Sequence, residues 1–271
     1  MPNAPFLERV YVPPERLEGG EGFPFDVPFV RTLDLSFTRA VTYLVGENGS
    51  GKSTLIEAIA EACGLPVSGG SRSEAAARHG PEERSALGPL LRASFRRRPR
   101  DGYFFRAEFQ AHFASLLDER REDPDFDGDP YSRYGGRSLH AQSHGEAFLA
   151  ILLNRVETGV IVMDEPESAL SPQRQLALLT RMAELVAAGR TQFVVATHSP
   201  ILLTFPDADI VSLDDVPLRS IKLEETSHYQ ITRGILEAPE RYWRLLRNDD
   251  ETNKKEGPGA GARGRPPRRV R

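Results

Sequence analysis

An octapeptide, Gly46-Glu47-Asn48-Gly49-Ser50-Gly51-Lys52-Ser53 followed by Thr54, restricts the folds open to this chain more than anything else in it. It comes directly after an apolar run, Ala40 to Val45, and directly before a helix-forming stretch, Thr54 to Ala62. A glycine-rich turn between a strand and a helix is where backbone N–H groups converge on phosphate oxygens and the helix presents the positive end of its dipole. In that arrangement Lys52 reaches the outer phosphates and the Ser53 hydroxyl faces a divalent cation. The pattern demands an α/β fold with a parallel sheet, because the loop works only at the carboxyl edge of a buried strand.

A second feature belongs at the same edge. Val160-Ile161-Val162-Met163 is a short apolar run of the fully buried, parallel-sheet kind, and it ends in Asp164-Glu165-Pro166. Alone, such an acidic pair is as readily a helix N-terminal cap. Beside a phosphate loop, the two acids divide the labour: Asp164 toward Mg²⁺, Glu165 toward the water that attacks the terminal phosphate. A third run, Phe193 to Ala196, leads to Thr197-His198-Ser199-Pro200, with the helix Pro172 to Ala188 between it and the acids, so the pair of runs reads as a βαβ unit. His198 then lies at the acids' edge of the sheet, within reach of the terminal phosphate or the water, although a lone histidine there also serves as a turn cap.

Composition narrows the alternatives. The chain is 271 residues long with 39% hydrophobic and 27% charged residues, which suits one globular domain. No stretch approaches the roughly 18 apolar residues of a membrane span, and the first residues lack the layout of a secretory signal, so a cytoplasmic location is expected. Cys63 is the single cysteine, which excludes an intramolecular disulfide and a cysteine-rich metal fold. From Asn248 onward seven basic residues meet four acidic ones in a Gly/Pro/Arg-rich tail (248–271) that reads as disordered, and the net charge of −4 therefore hides a body near −7. An acidic body provides no general footprint for nucleic acid. Within it, Arg92, Arg96, Arg97, Arg98, Arg100 and Arg106 form the densest basic stretch, which either meets nucleic-acid phosphates or is a solvated face paired with Glu82, Glu83 and Asp101.

Further elements follow from pattern. Phe6 to Val12, Phe25 to Arg31 and Asp34 to Phe37 read as short strands of an N-terminal antiparallel region. Glu82 to Ser94 reads as a short helical piece, Tyr103 to Glu108 as a strand, Phe109 to Arg120 as an amphipathic helix and Glu122 to Gly136 as a loop, all within a helical insertion over 64–142. A helix is expected from about Ser143.

Taken in order, the phosphate loop, Ser143-His144-Gly145-Glu146, the Asp164-Glu165 strand and His198 resemble the ABC-type ATPases. The resemblance implies ATP and Mg²⁺ as ligands and hydrolysis of ATP to ADP and phosphate. It also implies a head-to-tail homodimer in which Ser143 and Gly145 of one chain complete the nucleotide site of the other, with Ser168-Ala169-Leu170-Ser171 communicating between the sites. This chain reads SHGE where the transporter pattern is SGGQ, and Ser171 stands where aspartate is frequent. Glu108 and Gln110 are both candidates for the magnesium-sensing glutamine position, and Tyr11, Phe23 and Phe25 for the adenine platform.

The stretches Ala196 to Ile210 and Asp101 to Glu108 resemble small stand-alone prokaryotic ATPases on the SMC, RecF and overcoming-lysogenization side of the class, a likeness that extends from about Phe6 to Leu246. About 90 residues separate Lys52 from Ser143, too few for the long coiled coil of SMC proteins. The expectation is a single ATPase domain over 1–247, acting as a clamp or switch on a macromolecule and leaving nucleic acid open as its partner. The alternatives are the ATP-binding subunit of a membrane transporter, which the sequence after His198 argues against, and a nucleotide-binding regulator with low turnover.

Overall fold

A computed structural model describes residues 4–71, 84–106, 117–118, 121–122, 128–134, 136–138 and 140–255, and for 248–255 the backbone alone. The chain divides into two compact units, Met1–Thr226 and Ser227–Arg271.

The first unit is built on a six-stranded sheet of order β5-β6-β7-β3-β8-β9, where β3 is Val41–Val45, β5 Gly102–Phe105, β6 Gly159–Asp164, β7 Thr191–Ala196, β8 Asp209–Ser212 and β9 Arg219–Ile221. All neighbours are parallel except β8 and β9. Every residue of β7 and the first five of β6 are buried, as expected of strands covered on both faces. Successive residues of these strands serve opposite cores. Tyr43, Ile161, Met163, Phe193 and Val195 pack with Phe148, Ile151 and Leu152 of helix α2 (His144–Arg155) and with Leu178, Met182 and Leu185 of helix α3 (Pro172–Ala187). Leu44, Val160, Val162, Val194 and Ala196 pack with Leu55, Ile56 and Ile59 of helix α1 (Lys52–Ala62) on the other side.

The second core is closed by a three-stranded antiparallel sheet of order β2-β1-β4, with β1 at Leu7–Tyr11, β2 at Asp34–Ser36 and β4 at Arg92–Phe95. Gln192, fully buried in β7, ties the two sheets together: its Oε1 accepts from the N–H groups of Phe6 (2.8 Å) and Leu7 (2.9 Å), and its Nε2 donates to the Leu7 carbonyl at 3.0 Å.

Several expectations are corrected. Phe25 to Arg31 is not a strand: Pro24 precedes it and Pro28 interrupts it, and it runs through turns into a 3-10 helix, Val30–Thr32. Glu82 to Ser94 is not helical over its described part, 84–94, where turns around Gly88 and Pro89 lead into β4. The strand expected over Tyr103 to Glu108 runs Gly102–Phe105; Glu108 and Gln110 lie outside the described residues, as does most of the helix expected over Phe109 to Arg120. The described parts of the stretch read as a helical insertion supply strands to both sheets.

The second unit consists of helices α4 (Ser227–Glu237) and α5 (Pro239–Lys255), with Pro239 at the first position of the latter, where its missing N–H is harmless. Helix α5 continues past Asn248, and 256–271 lie outside the described residues. A Cβ on Gly234 would collide with the ring of Tyr242, so the small residue lets the two helices approach. Among the described residues, no helix is long and apolar enough to cross a membrane.

Candidate functional site

The octapeptide leaves β3 at its carboxyl end and enters α1, as the sequence requires. Gly51 caps the helix with φ 91°, and a Cβ there would sit 2.7 Å from Val27 and 2.9 Å from Phe29. Only glycine meets both demands. The segment 23–29, which overlaps the strand expected over Phe25 to Arg31, thus packs onto the phosphate loop. Together they line a cleft of about 470 Å³ whose walls include Phe23, Asp26, Val27, Asn48, Gly49, Lys52, Ser53, Thr54 and Glu165.

Lys52 is buried and its ammonium folds back onto the loop, donating to the carbonyls of Gly46 (2.8 Å) and Glu47 (3.1 Å). Burial lowers its pKa, while Glu165, Asp214, Asp164 and Glu47 oppose that shift. Ser50 carries a buried hydroxyl that no group among the described residues bonds, which suits a loop that wraps phosphate oxygens. Asp214, just after β8, accepts from the Glu47 N–H at 2.9 Å and pins the loop. Nothing in the sequence flagged it, since an aspartate in a surface turn is ordinary.

Parallel pairing of β6 with β7 carries Asp164 and Glu165 to the loop's edge of the sheet. The Asp164 Oδ1 and Ser53 Oγ lie 3.5 Å apart, longer than a strong hydrogen bond. Burial pushes the Asp164 carboxyl up to about 6, with Arg106 pulling it down and Glu165 pushing it further up. Two facing oxygen donors, one of them a poorly solvated carboxylate, are a donor set that fits Mg²⁺. Among the described residues no cluster of three or more His, Cys, Asp or Glu side chains is placed to hold a metal.

Glu165 has φ 44°, a region that non-glycine residues rarely enter, and its backbone is held there by three bonds. Its N–H donates to the Ala196 carbonyl at 2.9 Å, and its carbonyl accepts from the N–H (3.0 Å) and hydroxyl (2.8 Å) of Ser168. The Glu165 carboxylate lines the cleft and lies 3.3 Å from Nε2 of His198. Sequence reasoning missed Glu167. Its carboxylate accepts from the Thr197 hydroxyl at 2.8 Å and the His198 N–H at 2.5 Å, and burial raises its pKa against those bonds.

Ser143 and Gly145 lie elsewhere in the chain's own contacts. Ser143 caps α2 in a capping box with Glu146, and Arg174 of α3 donates to the Ser143 hydroxyl at 2.9 Å and pairs with Glu146 at 3.0 Å. A Cβ on Gly145 would sit 2.7 Å from the Ala169 carbonyl. The departure from SGGQ to SHGE is thus absorbed locally: Glu146 satisfies the Ser143 N–H at 2.8 Å, and Arg174 balances its charge. Of the adenine candidates, Phe23 lies on the cleft wall and is 62% exposed, whereas Tyr11 lies on β1 under the guanidinium of Arg9.

Two family models match the chain: one described as "AAA domain, putative AbiEii toxin, Type IV TA system" over residues 86–204, and one described as "AAA domain" over 25–110. A comparison with curated proteins finds no match. Among solved structures the chain is similar to an ATP-binding cassette of an ABC transporter, at 16% identity over 77% of this chain and 88% of that one, with a TM-score of 0.44. It is similar to an SMC head bound to the C-winged helix domain of ScpA (15% identity, 82% and 99% covered, TM-score 0.42). It is also similar to the SMC head domain from Thermotoga maritima (16%, 80% and 99%, 0.40). The chain is thus similar to AAA domains over two overlapping stretches, and its fold, whose sheet brings the Lys52 loop, the Asp164-Glu165 strand end and His198 to one edge, is of the ABC-type P-loop kind.

Proposed function

We propose that the chain binds ATP with Mg²⁺ in the cleft of the phosphate loop and hydrolyses it to ADP and phosphate. The observation that carries this reading is the Glu165 carboxylate, held on the cleft wall by a strained backbone and 3.3 Å from His198 Nε2. A carboxylate fixed at that point can orient a water and take its proton as the water attacks the terminal phosphorus. His198 is placed to hydrogen-bond the terminal phosphate or the attacking water, and Lys52 exchanges the carbonyls of Gly46 and Glu47 for phosphate oxygens. The loop N–H groups other than those of Glu47 and Ser50, with the start of α1, hold the remaining phosphate charge. Ser53 and Asp164 would hold the Mg²⁺, which when bound neutralises charge on the phosphates.

In this reading the active form is a homodimer that closes on ATP, Ser143 and Gly145 of each chain meeting the nucleotide of the other, and opens after hydrolysis. Relation to the SMC and RecF side of the class rests on the sequence around His198 and suggests a cytoplasmic clamp or switch that acts on another macromolecule, nucleic acid first among those to test. Steady-state hydrolysis by the wild type, Lys52→Ala and Glu165→Gln, with and without single- and double-stranded DNA and RNA, tests both levels. Turnover that both substitutions abolish supports the ATPase. Stimulation by one nucleic acid supports that partner, and turnover unaffected by either substitution removes the reading.

A further inference from the structure

The turn that carries His198 is clamped from below by side chains of a different segment. Glu167 accepts from the Thr197 hydroxyl and the His198 N–H. The Thr197 hydroxyl also accepts from the Ser199 N–H at 3.0 Å, and the Ser199 hydroxyl donates to Gln175 Oε1 at 2.5 Å. Gln175 in turn donates from Nε2 to the Leu170 carbonyl at 3.0 Å. Thr197, Ser199 and Gln175 are all buried, so the bonds of Ser199 and Gln175 are shielded from water, and the two to Glu167 are partly so. The chain of bonds starts at the turn after Glu165, passes under His198 and ends on the loop that precedes α3.

We infer that Glu167 is a positioning residue for ATP hydrolysis, which fixes the His198 backbone so that its imidazole stays opposite Glu165. The inference rests on the ATPase reading above. A carboxylate is needed because both partners are donors: a glutamine can accept one of these bonds but turns its own N–H₂ toward the other. Loss of the clamp leaves the fold's two sheets and the phosphate loop intact, since neither is bonded to Glu167 among the described contacts. It frees the His198 turn to swing by a fraction of an ångström, and misplacement on that scale is enough to slow chemistry markedly.

The test is steady-state hydrolysis by the full chain as wild type, Glu167→Gln, His198→Ala and the double variant, with binding of a fluorescent ATP analogue measured alongside. Glu167→Gln is expected to lower kcat roughly 10- to 100-fold and leave KM and analogue binding within about threefold. The double variant is expected to be no slower than His198→Ala, because Glu167 acts through that residue. Losses that multiply, or a raised KM with kcat intact, overturn the assignment. If Glu167→Gln does not fold, Thr197→Val removes one of the two donors and is expected to give a smaller loss of kcat, absorbed by His198→Ala and restored in Thr197→Ser; a kcat equal to that of the wild type overturns it. Lys52→Ala in the same series separates the two levels: wild-type turnover there removes the ATPase reading itself, whereas an inactive Lys52→Ala with multiplying losses removes only the role of Glu167.

Discussion

Gln192 and Leu7 bond each other in both directions, side-chain amide to backbone, across the seam between the two sheets of the first unit. Gln192 also takes the N–H of Phe6, so one buried amide satisfies two donors and one acceptor that the start of β1 otherwise leaves in an apolar core. Removal of a partner from a buried polar group costs about 1–3 kcal/mol for each group stranded. Gln192→Leu is therefore expected to destabilise the protein by about 3 kcal/mol or more despite its similar volume. Urea unfolding checks this, and a loss under about 1 kcal/mol would show that the seam relaxes around the change.

Asp164 is the next test, because function and stability pull it in opposite directions. Its carboxyl is pushed up to about 6 by burial, so the native state binds a proton more tightly than the unfolded chain does. Ionisation of Asp164 therefore destabilises the nucleotide-free protein: the penalty is absent at low pH, grows from about pH 4 and is complete above about pH 6. Asp164→Asn removes it. After allowance for partial screening by solvent, the variant is expected to be about 1–2 kcal/mol more stable than the wild type at pH 8, with the gain shrinking at pH 5. Thermal unfolding at the two values, without nucleotide, measures the difference, and an equal or lower stability at pH 8 contradicts the assigned shift.

The site was legible wherever residue type and neighbouring period agreed. Lys52 and Ser53 follow a strand and open a helix; Asp164 and Glu165 end one buried run and His198 another. Parallel pairing then brings all of them to one edge. Glu167, Asp214 and Arg174 escaped because their roles depend on distant partners: His198, the Glu47 N–H and Ser143. A third carboxylate two residues past Glu165, at a sheet edge already crowded with acids, was the one signal for Glu167. The segment 25–31 misled through its aromatic and β-branched residues, of which Val27 and Phe29 lie against Gly51 and not in a strand pair. Short β4 and β9 carry no period long enough to be read, and their pairing partners supply what local pattern does not.

Gly145 connects the segment Ser143-His144-Gly145-Glu146 to the rest of its own chain. An added Cβ would meet the Ala169 carbonyl at 2.7 Å and the Arg174 guanidinium at 2.8 Å, so either α2 or the loop 168–171 has to move. Gly145→Ala is expected to lose about 1–3 kcal/mol of stability through overpacking. Since Gly145 lies away from the chain's own cleft, analogue binding by a single chain is expected to stay within about threefold of wild type. ATP-driven dimer formation by the slow Glu165→Gln background, followed by size exclusion, is expected to fall sharply. Equal dimer formation in the two forms would place the partner's contact elsewhere.

Phe23 offers a way to separate recognition of the base from recognition of the phosphates. It stands 62% exposed on the cleft wall, although large aromatic side chains are ordinarily kept from water, and it has no core to serve in that position. A purine ring stacked on it would gain on the order of 1 kcal/mol. Phe23→Ala is expected to weaken ATP binding about 5- to 10-fold and leave binding of inorganic tripolyphosphate unchanged, because the phosphate loop and Lys52 do not depend on that ring. Tyr11→Ala is expected to change neither, since Tyr11 lies on β1 against Arg9. Equal losses for ATP and tripolyphosphate in Phe23→Ala would mean that the segment 23–29 shapes the phosphate loop through Val27 and Phe29, its contacts with Gly51, and contributes nothing to the base.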